Sequence, residues 1–162
     1  MATAAEMLTR AIEARDNILQ DVGDIVQQNI DTVVDFVRKQ LYSGKDRFGN
    51  SLSPKYSEDP YFKTLKAAQD YAAWKQLISP DPERSEDTPN LFIRGDYHQS
   101  IDAQVVGTEI QYRATDHNAA DIEAKFGGAD TLYGLDPDNM IEVRQNIVMP
   151  LLRQRINLRL TL

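Results

Sequence analysis

Apolar residues recur at three- and four-residue steps through the first quarter of the chain. Met7, Leu8, Ala11, Ile12, Ile18, Leu19, Val22, Ile25, Val26, Ile30, Val33, Val34, Val37 and Leu41 carry the pattern. That period predicts helix over residues 3–42, with no proline to interrupt it. At 1.5 Å per residue such a helix is roughly 60 Å long, whereas a domain of this size is about 30–40 Å across. Either the helix breaks near Gly23, the weakest helix former in the stretch, or part of its apolar stripe projects and is covered by a neighbour.

The helical pattern stops at "SGKDRFGNSLSPKYSEDPYFK", residues 43–63. Gly44 suits a helix C-terminus, Gly49-Asn50 suits a turn, and Pro54 and Pro60 keep the chain extended. A loop this long is seldom a mere connector. It carries Phe48, Tyr56, Tyr61 and Phe62, rings that are costly to leave in water. The expectation is a clamp, the 43–62 arm reaching across to a neighbouring subunit.

Residues 60–78 predict a second helix beginning near Pro60, with Leu65, Ala68, Ala72 and Leu77 joined by Tyr61, Tyr71 and Trp74 on its packed side. "SPDPERSEDTPN" (79–90) is a polar connector. The period then falls to two. "NLFIRG" (90–95) reads as a short strand or entry segment, and "SIDAQVVGTEIQYRA" (100–114) as a hairpin turning at Gly107-Thr108. Ile101, Ala103 and Val105 share one face, as do Ile110 and Tyr112. Residues 118–128 predict a short helix closed by Gly127-Gly128. A final helix over 136–162 starts with Asp136 as N-cap and Pro137 in its first turn, and Pro150 kinks or restarts it. The sum is one α+β domain over 1–162: long helix (1–42), clamp loop (43–62), α+β core (63–135) and C-terminal helix (136–162).

Composition narrows the function more than the fold. The 162 residues include no cysteine, which excludes disulfides and thiolate metal sites. His98 and His117 lack the spacing of a helical zinc pair. No run of apolar residues is long enough to span a membrane, and the charged N-terminus is unlike a secretory leader, so a cytosol-like compartment is expected. Net charge is −7, which argues against sequence-reading nucleic-acid binding. The basic part is the last helix, where Arg144, Arg153, Arg155 and Arg159 outnumber Asp136, Asp138 and Glu142. These arginines either form a solvated face or meet an acidic partner.

No catalytic motif stands out. A hydrolase would need His98 or His117 beside Asp96, Asp102 or Asp116 and a serine such as Ser100, and no nucleophile elbow accompanies them. Asp46, Asn50 and Ser51 lack the spacing of a calcium loop. "RGD" at 94–96 is too short to carry meaning. No catalytic, cofactor-binding or metal-binding residue is assigned, and no cofactor is expected.

Three short patterns carry a resemblance. The first comprises Asp46, Gly49, Leu52, Ser53 and Tyr56; the second Leu91, Gly95, Tyr97, Ser100 and Ile101; the third Lys125, Phe126 and Gly127. In this order, between a long helix and a terminal helix, they resemble the virion-morphogenesis, tail-completion and minor-tail proteins of tailed bacteriophages. Arg94 stands where threonine is common in that group, and the 117–140 link is longer. The resemblance implies a non-enzymatic virion protein assembled in the bacterial host cytoplasm, an oligomeric ring at the head–tail junction. Its partners would be further copies of itself and other head–tail proteins such as portal, adaptor or tail terminator, with DNA passing non-specifically. The expected interface residues are Phe48, Tyr56, Tyr61, Phe62, Ile25, Val33, Arg153 and Arg155. The alternatives are a minor tail protein elsewhere in the tail, or a cytoplasmic coiled-coil interaction module.

Overall fold

A computed structural model of the protein describes residues 3–161. Three helical segments follow one another at the start: α1 (Ala4–Asp16), α2 (Ile18–Gln28) and α3 (Ile30–Tyr42). The expected continuous helix is therefore interrupted, at Asn17 and Asn29 and not at Gly23. At each break the asparagine side chain donates to the carbonyl four residues back, Asn17 to Glu13 O at 2.7 Å and Asn29 to Ile25 O at 2.8 Å. Such back-bonding competes with the helix's own ladder and bends it. Gly23 lies within α2 where the hairpin approaches, and a Cβ there would stand 3.7 Å from Val105 Cγ1.

A single-turn 3₁₀ helix (Tyr56–Glu58) and α4 (Leu65–Leu77) come next. α4 starts later than expected because Thr64, which accepts from Ala67 N–H at 3.2 Å, is its cap. The 90–95 segment is not a strand. It leads into the one-turn α5 (Asp96–Gln99), with Gly95 at φ +92° making the bend. β1 (Ile101–Val106) and β2 (Glu109–Ala114) form a two-stranded antiparallel sheet. Gly107 has φ +62° and Thr108 does not follow it into positive φ, the pattern of a type II′ turn. Then come α6 (Ala119–Lys125), the unforeseen one-turn α7 (Ala129–Leu132) and α8 (Pro137–Val143), capped by Asp136. A π-helical stretch over Arg144–Val148 joins α8 to α9 (Met149–Thr161). The irregularity thus falls just before Pro150, where the missing proline N–H breaks the regular ladder.

The core lies between α3, the inner face of β1 and the 119–143 segment. Val33, Val37 and Leu41 are completely buried, with Ile101, Leu132 and Tyr133 against them. Each such aliphatic side chain stabilises the fold by about 1.5–3 kcal/mol. α9 returns along α2 and α1, so the first and last helices form a rod beside this body. The rod is thinly packed: Ala14 is the buried residue of α1, and α9 has none. The architecture is α+β, and no helix among the described residues is long and apolar enough to cross a membrane.

Candidate functional interface

The 43–62 loop is built from its own polar groups. Gly44 has φ +73°, and a side chain there would strike Thr88 and Pro89, so the position needs glycine. Asp46, buried, accepts from Phe48 N–H at 2.8 Å and Asn50 N–H at 2.9 Å, so it organises the turn. Arg47 N–H donates to Thr131 O at 3.1 Å and Tyr56 N–H to Asp87 O at 3.0 Å, tying the loop to two other parts of the chain. Asp59 accepts from Tyr61 N–H and pairs with Lys125 of α6. Burial opposes ionisation of Asp59, but the Lys125 ammonium and the Tyr61 N–H outweigh it and hold its carboxyl below the usual range.

These ties correct half of the clamp. The Tyr56 ring meets Tyr71 of α4 edge-on at 5.2 Å, and Phe62 lies 5.1 Å from the same ring. Tyr56 is buried and Phe62 half-buried, so both serve this chain's own packing. Phe48 and Tyr61 do stand free, 59% and 79% exposed. Tyr61 borders a cleft of about 320 Å³ lined also by Tyr56, Phe62, Tyr71, Leu91 and Phe126.

The rod residues divide in the same way. Ile25 and Val33 are 0% exposed and belong to the protein's own interior, so neither can meet a neighbour. Period alone cannot say which residues of an apolar stripe the chain covers itself. Arg155 is also spoken for: it donates to Asp21 Oδ1 at 3.2 Å and Gln28 Oε1 at 3.1 Å. Arg159 makes a forked pair with the same carboxylate. Its hydrogen bonds hold the Asp21 carboxyl below the usual range against the opposing effect of burial. Asp21 is the anchor that the sequence reading missed. The available signal was an acid amid an apolar stripe, with two arginines four apart on another helix. Arg153 remains exposed, beside Arg144 in an open surface hollow.

Several large apolar side chains of the rod are left uncovered among its polar residues. Leu8 and Leu19 of α1 and α2 are 63% and 75% exposed, Met7 and Ile12 lie with them, and Leu158 and Leu160 of α9 are also open. Leu8 and Ile12 adjoin on one face of α1; Leu19 lies beyond the Asn17 break, with the exposed Arg15–Asp16 pair between them.

The hydrolase constellation does not assemble. His98 is 0% exposed, stacked on Tyr42 at 4.3 Å, and neither ring nitrogen has a protein hydrogen-bond partner. Burial pushes its pKa down to about 3, aided by the charges of Lys75 and Arg38. Asp96 pairs instead with Arg94, and the Ser100 hydroxyl accepts from the Asp116 N–H. Lys75 is buried as well, donating to Phe92 O, and burial lowers its pKa to about 8. No cluster of metal-ligating side chains occurs among the described residues.

No protein-family model, curated protein or solved structure matches this chain. Most of the residues behind the phage resemblance take structural roles here. Gly49, Gly95 and Gly127 adopt positive φ, Leu52 and Ile101 are core, Tyr97 and Tyr133 share a buried hydroxyl pair at 2.9 Å, and Lys125 holds Asp59.

Proposed function

We propose that this protein is a non-enzymatic structural subunit of a tailed-phage virion, an oligomeric component of the head–tail junction that works through subunit–subunit contacts. The observation that carries the reading is the set of apolar side chains left open on the rod, Met7, Leu8, Ile12 and Leu19 on its first two helices with Leu158 and Leu160 on α9. Many large apolar side chains left exposed on one part of a folded chain point to a site of association. Open apolar residues on the rod and exposed rings elsewhere, Phe48 and Tyr61, suit heterologous contacts, which close into rings. The virion assignment itself rests on the resemblance of the 46–56, 91–101 and 125–127 patterns. A net charge of −7 would let DNA pass such a ring without adhering.

The minor-tail alternative uses the same contacts at another level of the particle. The coiled-coil module is less well supported, because the breaks at Asn17 and Asn29 interrupt the register and α9 already occupies one flank of the rod. Electron microscopy of the purified, concentrated protein tests the reading. Closed rings of uniform diameter are expected, and parallel rods or dispersed monomers would contradict it.

A further inference from the structure

β2 leaves one edge of the sheet without a partner. Val106 pairs with Glu109 across the turn, and the ladder runs on to Thr115 N–H, which donates to Ser100 O at 3.3 Å. That phase turns the N–H and C=O groups of Ile110, Tyr112 and Ala114 away from β1. Several of the equivalent outward groups on β1 are occupied. Val105 N–H donates to Gln27 Oε1 at 2.7 Å, Ala103 N–H to Asp102 Oδ1 at 2.8 Å, and Arg38 donates to Ile101 O at 2.8 Å. Among the described residues, the outward groups of Ile110, Tyr112 and Ala114 have no protein hydrogen-bond partner.

A groove of about 640 Å³ runs along this free edge. Ile110 and Tyr112 line one side, and Tyr133, Leu135 and Met140 line the other. Arg47 also faces it. Its guanidinium reaches Asp130 O at 3.4 Å and flanks the Phe48 ring, with no carboxylate in ion-pair range among the described residues. Glu109 lies at the turn end of the same groove.

We propose that this groove takes an extended segment of a different polypeptide as a third strand, paired through the outward backbone groups of Ile110, Tyr112 and Ala114, with a carboxylate on the segment facing Arg47. Unpaired strand edges recruit extended peptides through main-chain bonds, and flanking pockets then select side chains. The wall formed by residues 129–140 argues for a lone strand. A second copy's hairpin would carry its own β1 into that wall. This chain's own extended stretches near 45–52 and 88–92 are held by internal bonds. The inference does not depend on the virion reading.

The test uses the full chain and a short end-blocked peptide of alternating threonine and valine with a central glutamate. Amide exchange is followed by NMR. Saturating peptide is expected to slow exchange at Ile110, Tyr112 and Ala114 by about tenfold or more. A backbone N-methylated peptide should give no protection, and neither should Ala114→Pro, which removes an outward N–H but no ladder bond. Should Ala114→Pro fail to fold, Arg47→Glu serves instead: it should weaken the glutamate peptide and favour a lysine counterpart. Unchanged exchange at millimolar peptide, or equal binding of the N-methylated form, would overturn the proposal. So would protection of these amides that grows with protein concentration alone, since the occupant would then be a second copy.

Discussion

The body and the rod of this molecule are built from equally periodic sequence but satisfy their apolar residues differently. In α3, Val33, Val37 and Leu41 meet the hairpin and the 119–143 segment and vanish from solvent. In α1, Leu8 and Ile12 repeat the same spacing with nothing beyond them. The contrast teaches that amphipathic period specifies a helix and a face, while topology decides whether that face is covered. α9 covers one flank of the rod, pinned by Asp21 to Arg155 and Arg159, and leaves the other open.

The sharpest way to break the comparison is in the body. Leu41→Ala should cost about 2–5 kcal/mol in chemical denaturation, and Tyr56→Ala about 3 kcal/mol, because each leaves a cavity in packed surroundings. A loss below about 0.5 kcal/mol for either would mean the body is not the self-sufficient part.

Acid should act next. His98 titrates near its ordinary value of 6.5 when unfolded and near 3 when folded. Between those values the unfolded chain holds more protons, so stability falls as pH drops from about 6.5, by up to about 1.4 kcal/mol per pH unit. Asp21 and Asp59, whose folded pKa values are lowered, add to the loss as pH falls through the ordinary carboxylate range. Denaturation curves at stepped pH should show this slope, and His98→Phe should flatten it above pH 5. An unaltered slope would assign the acid sensitivity elsewhere.

At the rod, Asp21→Asn should loosen α9 without unfolding the body, seen as faster amide exchange confined to α9 and α2. Global unfolding would make the rod part of the core. The smallest effect on stability is expected for Phe48→Ser, within about 0.5 kcal/mol, because its ring is mostly in water. A loss comparable to that of Tyr56→Ala would place Phe48 in the fold after all.

Much of the fold was legible because its signals are local. The hairpin at Gly107, the Asp136-Pro137 helix start, the Gly44 stop and the alternating face of β1 each depend on a few neighbouring residues. The helix breaks were misplaced because Gly23 is a weak helix former by propensity, whereas Asn17 and Asn29 act through side-chain geometry. Of the candidate interface residues, Phe48, Tyr61 and Arg153 lie at the surface, whereas Ile25, Val33 and Tyr56 are interior and Arg155 is paired within the chain. What separates them is long-range: α9 folding back, α4 meeting the loop, Lys125 reaching Asp59. The free β2 edge was equally invisible, since a hairpin pattern does not say what lies beside its outer strand.

Light scattering coupled to size exclusion, over a wide concentration range, tests the central claim most directly. Wild-type protein should grow in mass beyond the monomer, and the combined Leu8→Gln, Ile12→Gln and Leu19→Gln variant should stay monomeric with an unchanged denaturation midpoint. A wild type that remains monomeric at every concentration, or a variant that assembles just as well, would contradict an account in which the open face of the rod is where subunits meet.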